Sequence, residues 1–360
     1  MKNISLSICI AAYNQIDLVR KNLDELVKYP EHNIEVVVSD DCSSDDLQSL
    51  VIGYYDERIK YTKTKENVGH DLNIIHAIRN SDADYVMILR SRDLISYTSI
   101  KEIITLIQKN KNSSYFLFSA VDENNKPKVI LSNKRYKKGI EAIKASTKLL
   151  IHPSGQIYNR SLLNLEEIEE HINNSFQNKF GFEAHNLIRM QLAEKGDFST
   201  FSTIGWIYTN TSKAKDIAQN SSDKGISVYA PFYEYKRYQC ELEFVAKQIS
   251  EEYKLILYRS VIKRFYRSIL IDYCHINSDK NMQRHYNYVP IEYSKKKEWK
   301  GFKKHSIDFF CCDAQNQVKL KRYLYFIRFI SIKFEIYSLM IRCFGNTKWF
   351  KYLHKIIKNI

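Results

Sequence analysis

Between residues 5 and 120, five short apolar runs alternate with segments whose apolar residues recur every three or four positions. The runs at 5–11, 34–38, 58–62, 85–89 and 115–120 have strand length, and IEVVV and YFLFSA are rich in β-branched and aromatic residues. The segments at 16–28, 45–54, 71–78 and 96–109 read as helices. In the first of them Leu18, Val19, Leu23, Leu26 and Val27 lie on one face. Strands joined by helical crossovers return to the same edge of a sheet, so a mainly parallel, Rossmann-like α/β sheet with flanking helices is predicted. Such sheets are covered on both faces, and their ligands bind beyond the carboxyl ends of the strands.

Polar clusters stand where those carboxyl ends should be. Asp40 and Asp41 follow IEVVVS at the second strand. A carboxylate there costs free energy unless it is partnered. Capping the next helix is one use, but Ser43, Ser44 or Asp45 would serve for that. An aspartate can also accept the ring N–H of a uracil base. Tyr13 and Asn14, after the first strand, would add a stacking face and a hydrogen bond. The fourth strand runs into Arg90-Ser91-Arg92-Asp93. If the strand continues, alternation puts Arg90 and Arg92 on one side. Guanidinium forks suit phosphate oxygens.

Further along, Glu183 opens a helical segment with Leu187, Ile188, Met190 and Leu192 on an apolar stripe. Its bland role is to offset the helix dipole. His185 is two residues away, a spacing that does not share a helix face, and no catalytic role is read for it. His152 lies in LLIHPSGQIYNR, and Gly69 in ENVGH reads as a conformational glycine.

The ordered set SICIAAYNQIDLVRKNLDEL, IEVVVSDDCSSDD and ENVGHDLNIIHAIRNSDADYVMIL resembles the inverting family 2 glycosyltransferases of the GT-A fold, over roughly residues 4–205. The resemblance implies that Ala11, Tyr13, Asn14, Asp40 and Asp41 bind the nucleoside of a nucleotide-sugar. It implies that Glu183 is the general base, and that His152 lies near the donor sugar and diphosphate. In that family the fourth strand usually ends in D-x-D, whose carboxylates hold a divalent ion. Here both positions are arginine and only the trailing Asp93 remains. Two readings follow. Arg92, with Arg90, takes over part of the metal's charge, giving metal-independent transfer; alternatively Asp93 alone holds Mn²⁺ or Mg²⁺.

The rest of the chain differs in character. From Pro231 onward there are 26 Lys and Arg against 12 Asp and Glu, while the residues before it carry 29 of each, so the net +14 belongs to the second part. Leu320, Tyr323, Ile327, Ile330, Phe334, Tyr337 and Ile341 mark one helix face, and Phe329, Ile332 and Ile336 lie opposite. A GT-A domain at 1–215, a polar linker at 216–230 and a basic, aromatic, all-helical domain at 231–360 are expected. Cationic aromatic helices fit an anionic membrane surface. No nucleic-acid module accompanies the charge, so no nucleic-acid partner is expected. The seven cysteines form no CxxC pair or zinc spacing and read as reduced thiols. MKNISLSICIAAYN reads as a first strand rather than a signal peptide, and no run of 18 uncharged apolar residues is present.

The expectation is a cytoplasmic enzyme, peripheral on the inner face of a membrane. It would pass a sugar from a UDP-sugar to a glycan or lipid-linked acceptor in surface polysaccharide synthesis. The alternatives are a non-catalytic GT-A partner subunit and a protein-glycosylating enzyme.

Overall fold

LSICIAA and IEVVVSD are apolar almost without interruption, and each forms a strand buried along nearly its whole length: β1 (Leu6–Ala12) and β2 (Ile34–Asp40). A strand covered on both faces needs no alternation. The computed structural model describes residues 5–149, 152–176, 184–209, 231–278, 300–301, 303–304, 307 and 317–344. The chain divides into two units, Met1–Lys215 and Asp216–Ile360. The segment read as a linker, 216–230, lies outside the described residues.

In the first unit β1 pairs in parallel with β2 and with β4 (Tyr85–Arg90), and β2 pairs in parallel with β3 (Ile59–Lys63). The helices that return the chain are α1 (Ile16–Leu26), α2 (Leu47–Ile52) and α3 (His70–Arg79). Each buries its apolar side, as α1 does with Val19, Leu23 and Leu26. After β4 come α4 (Tyr97–Lys109), which buries Ile100, Ile103, Ile104 and Ile107, and β5 (Ser113–Asp122).

The remaining elements are β6 (Pro127–Val129), β7 (Lys134–Tyr136), α5 (Ile140–Lys148), β8 (Gln156–Asn159), α6 (Leu165–Phe176), α7 (Ala184–Ala193) and β9 (Asp197–Tyr208). The sheet order is β3-β2-β1-β4-β8-β5-β9-β7, with β6 on β5. The four-residue β8 runs antiparallel between β4 and β5, whereas β9 is parallel to β5. The sheet is thus parallel at its β3–β4 side and mixed beyond. Strands as short as QIYN carry no periodic signal in the sequence.

At the amino end of the sheet, Glu35 is 1 % exposed yet ionisable. It meets Ser7 Oγ and the Asp82 N–H, accepts from the Ala83 N–H at 3.2 Å, and pairs with Lys60 at 2.5 Å. That one carboxylate ties β1, β2, β3 and the entry to β4 together.

In the second unit α8 (Pro231–Gln248), α9 (Glu251–Ser278) and α10 (Gln317–Phe344) are helices. Leu242, Phe244 and Val245 of α8 are buried, as are Leu257, Val261, Ile262 and Phe265 of α9 and Ile327 and Ile330 of α10. Buried Glu241 accepts two hydrogen bonds from Arg264, one of them at 2.9 Å. Arg259 of α9 lies over the Phe326 ring of α10 at 5.5 Å.

Replacing Glu35 by Ala should cost about 2–4 kcal/mol of stability, because buried N–H donors and Lys60 lose their acceptor. Glu35→Gln, which keeps an acceptor, should cost less. Urea unfolding of the two variants measures the difference.

Candidate active site

The site begins where β1 and β2 end. Asn14 and Cys42 have φ of +52° and +57°, a region an asparagine tolerates well. The turn lets the Asn14 side chain accept from the Ser44 N–H at 2.8 Å and its own N–H reach Ser43 Oγ at 2.9 Å. Asp45 accepts from the Ile16 N–H at 2.9 Å, so it completes the start of α1, while Asp46 caps α2 by accepting from Ser49. The first two βα loops are therefore stitched together. Tyr13 is left 37 % exposed at the rim, and Ala11 is half-buried between Ser39 and Arg90 in register.

The acidic pair departs from expectation. Asp40 is 0 % exposed; it accepts from the Ser43 N–H at 2.8 Å and the Tyr61 hydroxyl at 2.7 Å, with Lys63 at 3.5 Å. Burial opposes its charge, but the bonds from Ser43 and Tyr61 outweigh burial and hold its pKa below the usual value. Asp41, 2 % exposed, accepts from the Val68 and Gly69 N–H groups at 2.7 and 2.9 Å and from the Thr64 hydroxyl at 3.3 Å. Burial raises its pKa in spite of those bonds. Both carboxylates are buried and accept hydrogen bonds from neighbouring loops.

The end of β4 also differs from a continued strand. The chain turns at Arg90, with the Asp93 N–H donating to the Arg90 carbonyl at 2.9 Å. Arg90 thus ends the strand and Arg92 lies in the turn beyond it, and both guanidinium groups act on His152. Arg90 Nε donates to Asp93 Oδ2 at 2.9 Å. The same oxygen accepts from Ser154 Oγ at 2.6 Å, and Asp93 Oδ1 accepts from the Thr209 N–H at 3.3 Å. Asp93 is 0 % exposed. Arg92 is half-buried, and its Nε is buried without a hydrogen-bond acceptor. Arg90 and Asp93 thus form an internal ion pair, while the buried Nε of Arg92 has no hydrogen-bond acceptor.

These residues do not fit a divalent ion. Asp93 is enclosed and already answered by Arg90, and a dication beside two guanidinium groups would face repulsion on the order of several kcal/mol. Among the described residues no three His, Cys, Asp or Glu side chains are grouped to hold a metal.

His152 stacks on Trp206 at 5.1 Å and meets the edge of Tyr208 at 5.7 Å. Gly155, at φ +78°, is required there, since a Cβ would lie 2.0 Å from the Trp206 ring. Burial first, then Arg90, Arg92, His185 and His70, push the His152 pKa far down. Asp93 Oδ2 is 3.5 Å from His152 Nδ1, but its charge is matched by Arg90, so the imidazole is neutral. His185 of α7 is likewise held neutral, by burial and Arg189, and it interacts electrostatically with Asp71, His70 and Arg90. The sequence reading sets His185 aside on its spacing from Glu183; only the approach of α7 to the start of α3 reveals it. Ser154, Trp206 and Thr209 were also unseen, and only the PSG turn at 153–155 hinted at a tight approach. Glu183 lies outside the described residues.

The family described as glycosyl transferase family 2 matches residues 7–165. An uncharacterized glycosyltransferase of Rickettsia typhi is 26 % identical over 113 residues, 31 % of this chain and 35 % of that protein. One of Rickettsia bellii is 29 % identical over 125 residues, 34 % of this chain and 18 % of that protein. The matches thus span about a third or less of these relatives' length. Among solved structures, residues 1–349 of S. aureus TarS align with a TM-score of 0.57 at 18 % identity, covering 91 % of this chain and 88 % of that one. Its complex with UDP-GlcNAc aligns with a TM-score of 0.58 at 16 % identity. At such identities the likeness is one of fold.

A histidine kept neutral in the folded protein destabilises it in acid, because the unfolded chain binds the extra proton. Stability should therefore fall as pH drops below about 6.5. His152→Gln should flatten the slope between about pH 7 and 5 by up to one proton, read from denaturation midpoints across that range.

Proposed function

We propose that this chain, whose residues 7–165 match glycosyl transferase family 2 and whose fold is that of TarS, is a glycosyltransferase of that family and moves a hexose from a UDP-sugar to an acceptor hydroxyl with inversion. The observation that carries the proposal is Arg92: a half-buried guanidinium, its Nε without an acceptor, at the carboxyl end of β4 beside the β1 rim. A buried donor left unpaired is costly, and a phosphate oxygen is the partner that suits it. The neutral His152 beside it leaves the anion to Arg92 and the net-neutral Arg90–Asp93 pair. The TarS complexes with UDP and UDP-GlcNAc have the same fold, which favours a uridine donor.

In this reading Tyr13 stacks on the base over Ala11, with Asn14, Asp40 and Asp41 holding the loops that shape its pocket. Arg92 neutralises the departing diphosphate, so that transfer needs no divalent ion. Glu183 is assigned the general base. The acceptor oxygen attacks the anomeric carbon from the face opposite the diphosphate, and its proton passes to Glu183. The carbon–oxygen bond to the β-phosphate breaks, and its electron pair leaves with UDP. The basic second unit suits a glycan or lipid-linked acceptor at the inner membrane face, as in surface polysaccharide assembly.

Arg92→Ala should weaken UDP binding about tenfold to a hundredfold, the worth of a charge-assisted hydrogen bond, and leave uridine binding unchanged. Calorimetric titration with both ligands tests it. Release of UDP from a panel of UDP-sugars should continue in EDTA; activity that EDTA abolishes and Mn²⁺ restores sinks the metal-free mechanism. Glu183→Gln should lower kcat about 10²–10⁴-fold, with donor KM little changed.

A further inference from the structure

Helix α10 has two apolar faces. One buries Ile327 and Ile330. The other carries Tyr325, Phe329, Ile332, Ile336 and Leu339, which are 53–70 % exposed. Spacings of four and three residues align these five on one side of the helix, over about 21 Å of its length. A stripe of large exposed apolar side chains marks a contact surface. Among the described residues no helix is long and apolar enough to cross a membrane, so this face would lie along a surface.

Charge decides what covers it. Six residues of α10 are basic and one, Glu335, is acidic. Lys321, Arg322 and Arg328 are exposed, and Lys333 lies over the Phe329 ring at 4.9 Å. A seam between two copies needs opposite charges at its flanks. A second copy of this helix would instead bring cation against cation, within residues 231–360, which together hold the whole net +14 of the chain. An anionic bilayer answers both features: phosphates pair with the flanking cations, and the apolar stripe enters the headgroup boundary. Residues 345–360 add Lys348, Lys351, Lys355 and Lys358 and no acidic residue.

We propose that the outer face of α10 docks the protein onto an anionic lipid bilayer, with Phe329, Ile332 and Ile336 inserted and Arg322 and Arg328 on the headgroups. This surface is independent of the transfer reaction, and its test needs no substrate.

The test is co-flotation of the full chain with phosphatidylglycerol–phosphatidylcholine vesicles at roughly 0.1 M salt, beside pure phosphatidylcholine. The chain should float with the anionic vesicles only. The double substitution Phe329→Ser and Ile336→Ser should lower partitioning about tenfold or more, with an unchanged thermal melt by circular dichroism. Arg322→Ala with Arg328→Ala should weaken binding and reduce its salt dependence. The proposal is overturned if the parent chain stays at the bottom, if it floats equally with neutral vesicles, or if the serine variant floats as well as the parent. It is also overturned if light scattering finds a dimer that the serine variant splits while neither form binds vesicles.

Discussion

The ion pair between Arg90 and Asp93 is the constraint around which the carboxyl end of β4 is arranged. Asp93 is fully enclosed, and a carboxylate so placed is tolerated only when its charge and lone pairs are answered. Three groups answer it from three stretches of chain: Arg90 at the end of β4, Ser154 before β8, and the Thr209 N–H after β9. Loss of one partner of such a pair typically costs about 3–5 kcal/mol, so the loops before β8 and after β9 are held by the same interaction that turns the chain after β4.

That arrangement also changes the chemistry of the slot. At this turn the chain has an ion pair that neutralises itself and a second arginine, Arg92, whose buried Nε lacks an acceptor. Under the proposed function that guanidinium supplies the positive charge a divalent ion would otherwise bring. The pKa values of the neighbouring imidazoles of His152 and His185 are lowered by burial, so they add little positive charge of their own. Asp40 and Asp41 show the same economy: each collects N–H and hydroxyl donors from adjoining loops.

The second unit follows a different rule. Its helices bury Phe244, Phe265 and Ile330 on inner faces and pair Glu241 with Arg264, yet α10 leaves a further apolar stripe uncovered. An ordinary surface helix has one apolar face. Two such faces on one basic helix imply a contact made outside the unit.

By itself the sequence determined the alternation of strands and helices through β5, the carboxyl ends where polar residues gather, the family resemblance, and the concentration of basic charge after Pro231. These are local or compositional properties, set by side-chain period and residue type. It did not reveal β8 or the parallel return of β9, because strand neighbours far apart in sequence leave no periodic trace. Tertiary structure alone decided that Asp93 pairs with Arg90 and that Asp40 and Asp41 are buried among donors from adjoining loops. It also brought His185 toward His70 and Asp71. Each of these outcomes depends on which donors and charges the fold brings within a few ångströms, and that proximity is a property of the packed chain.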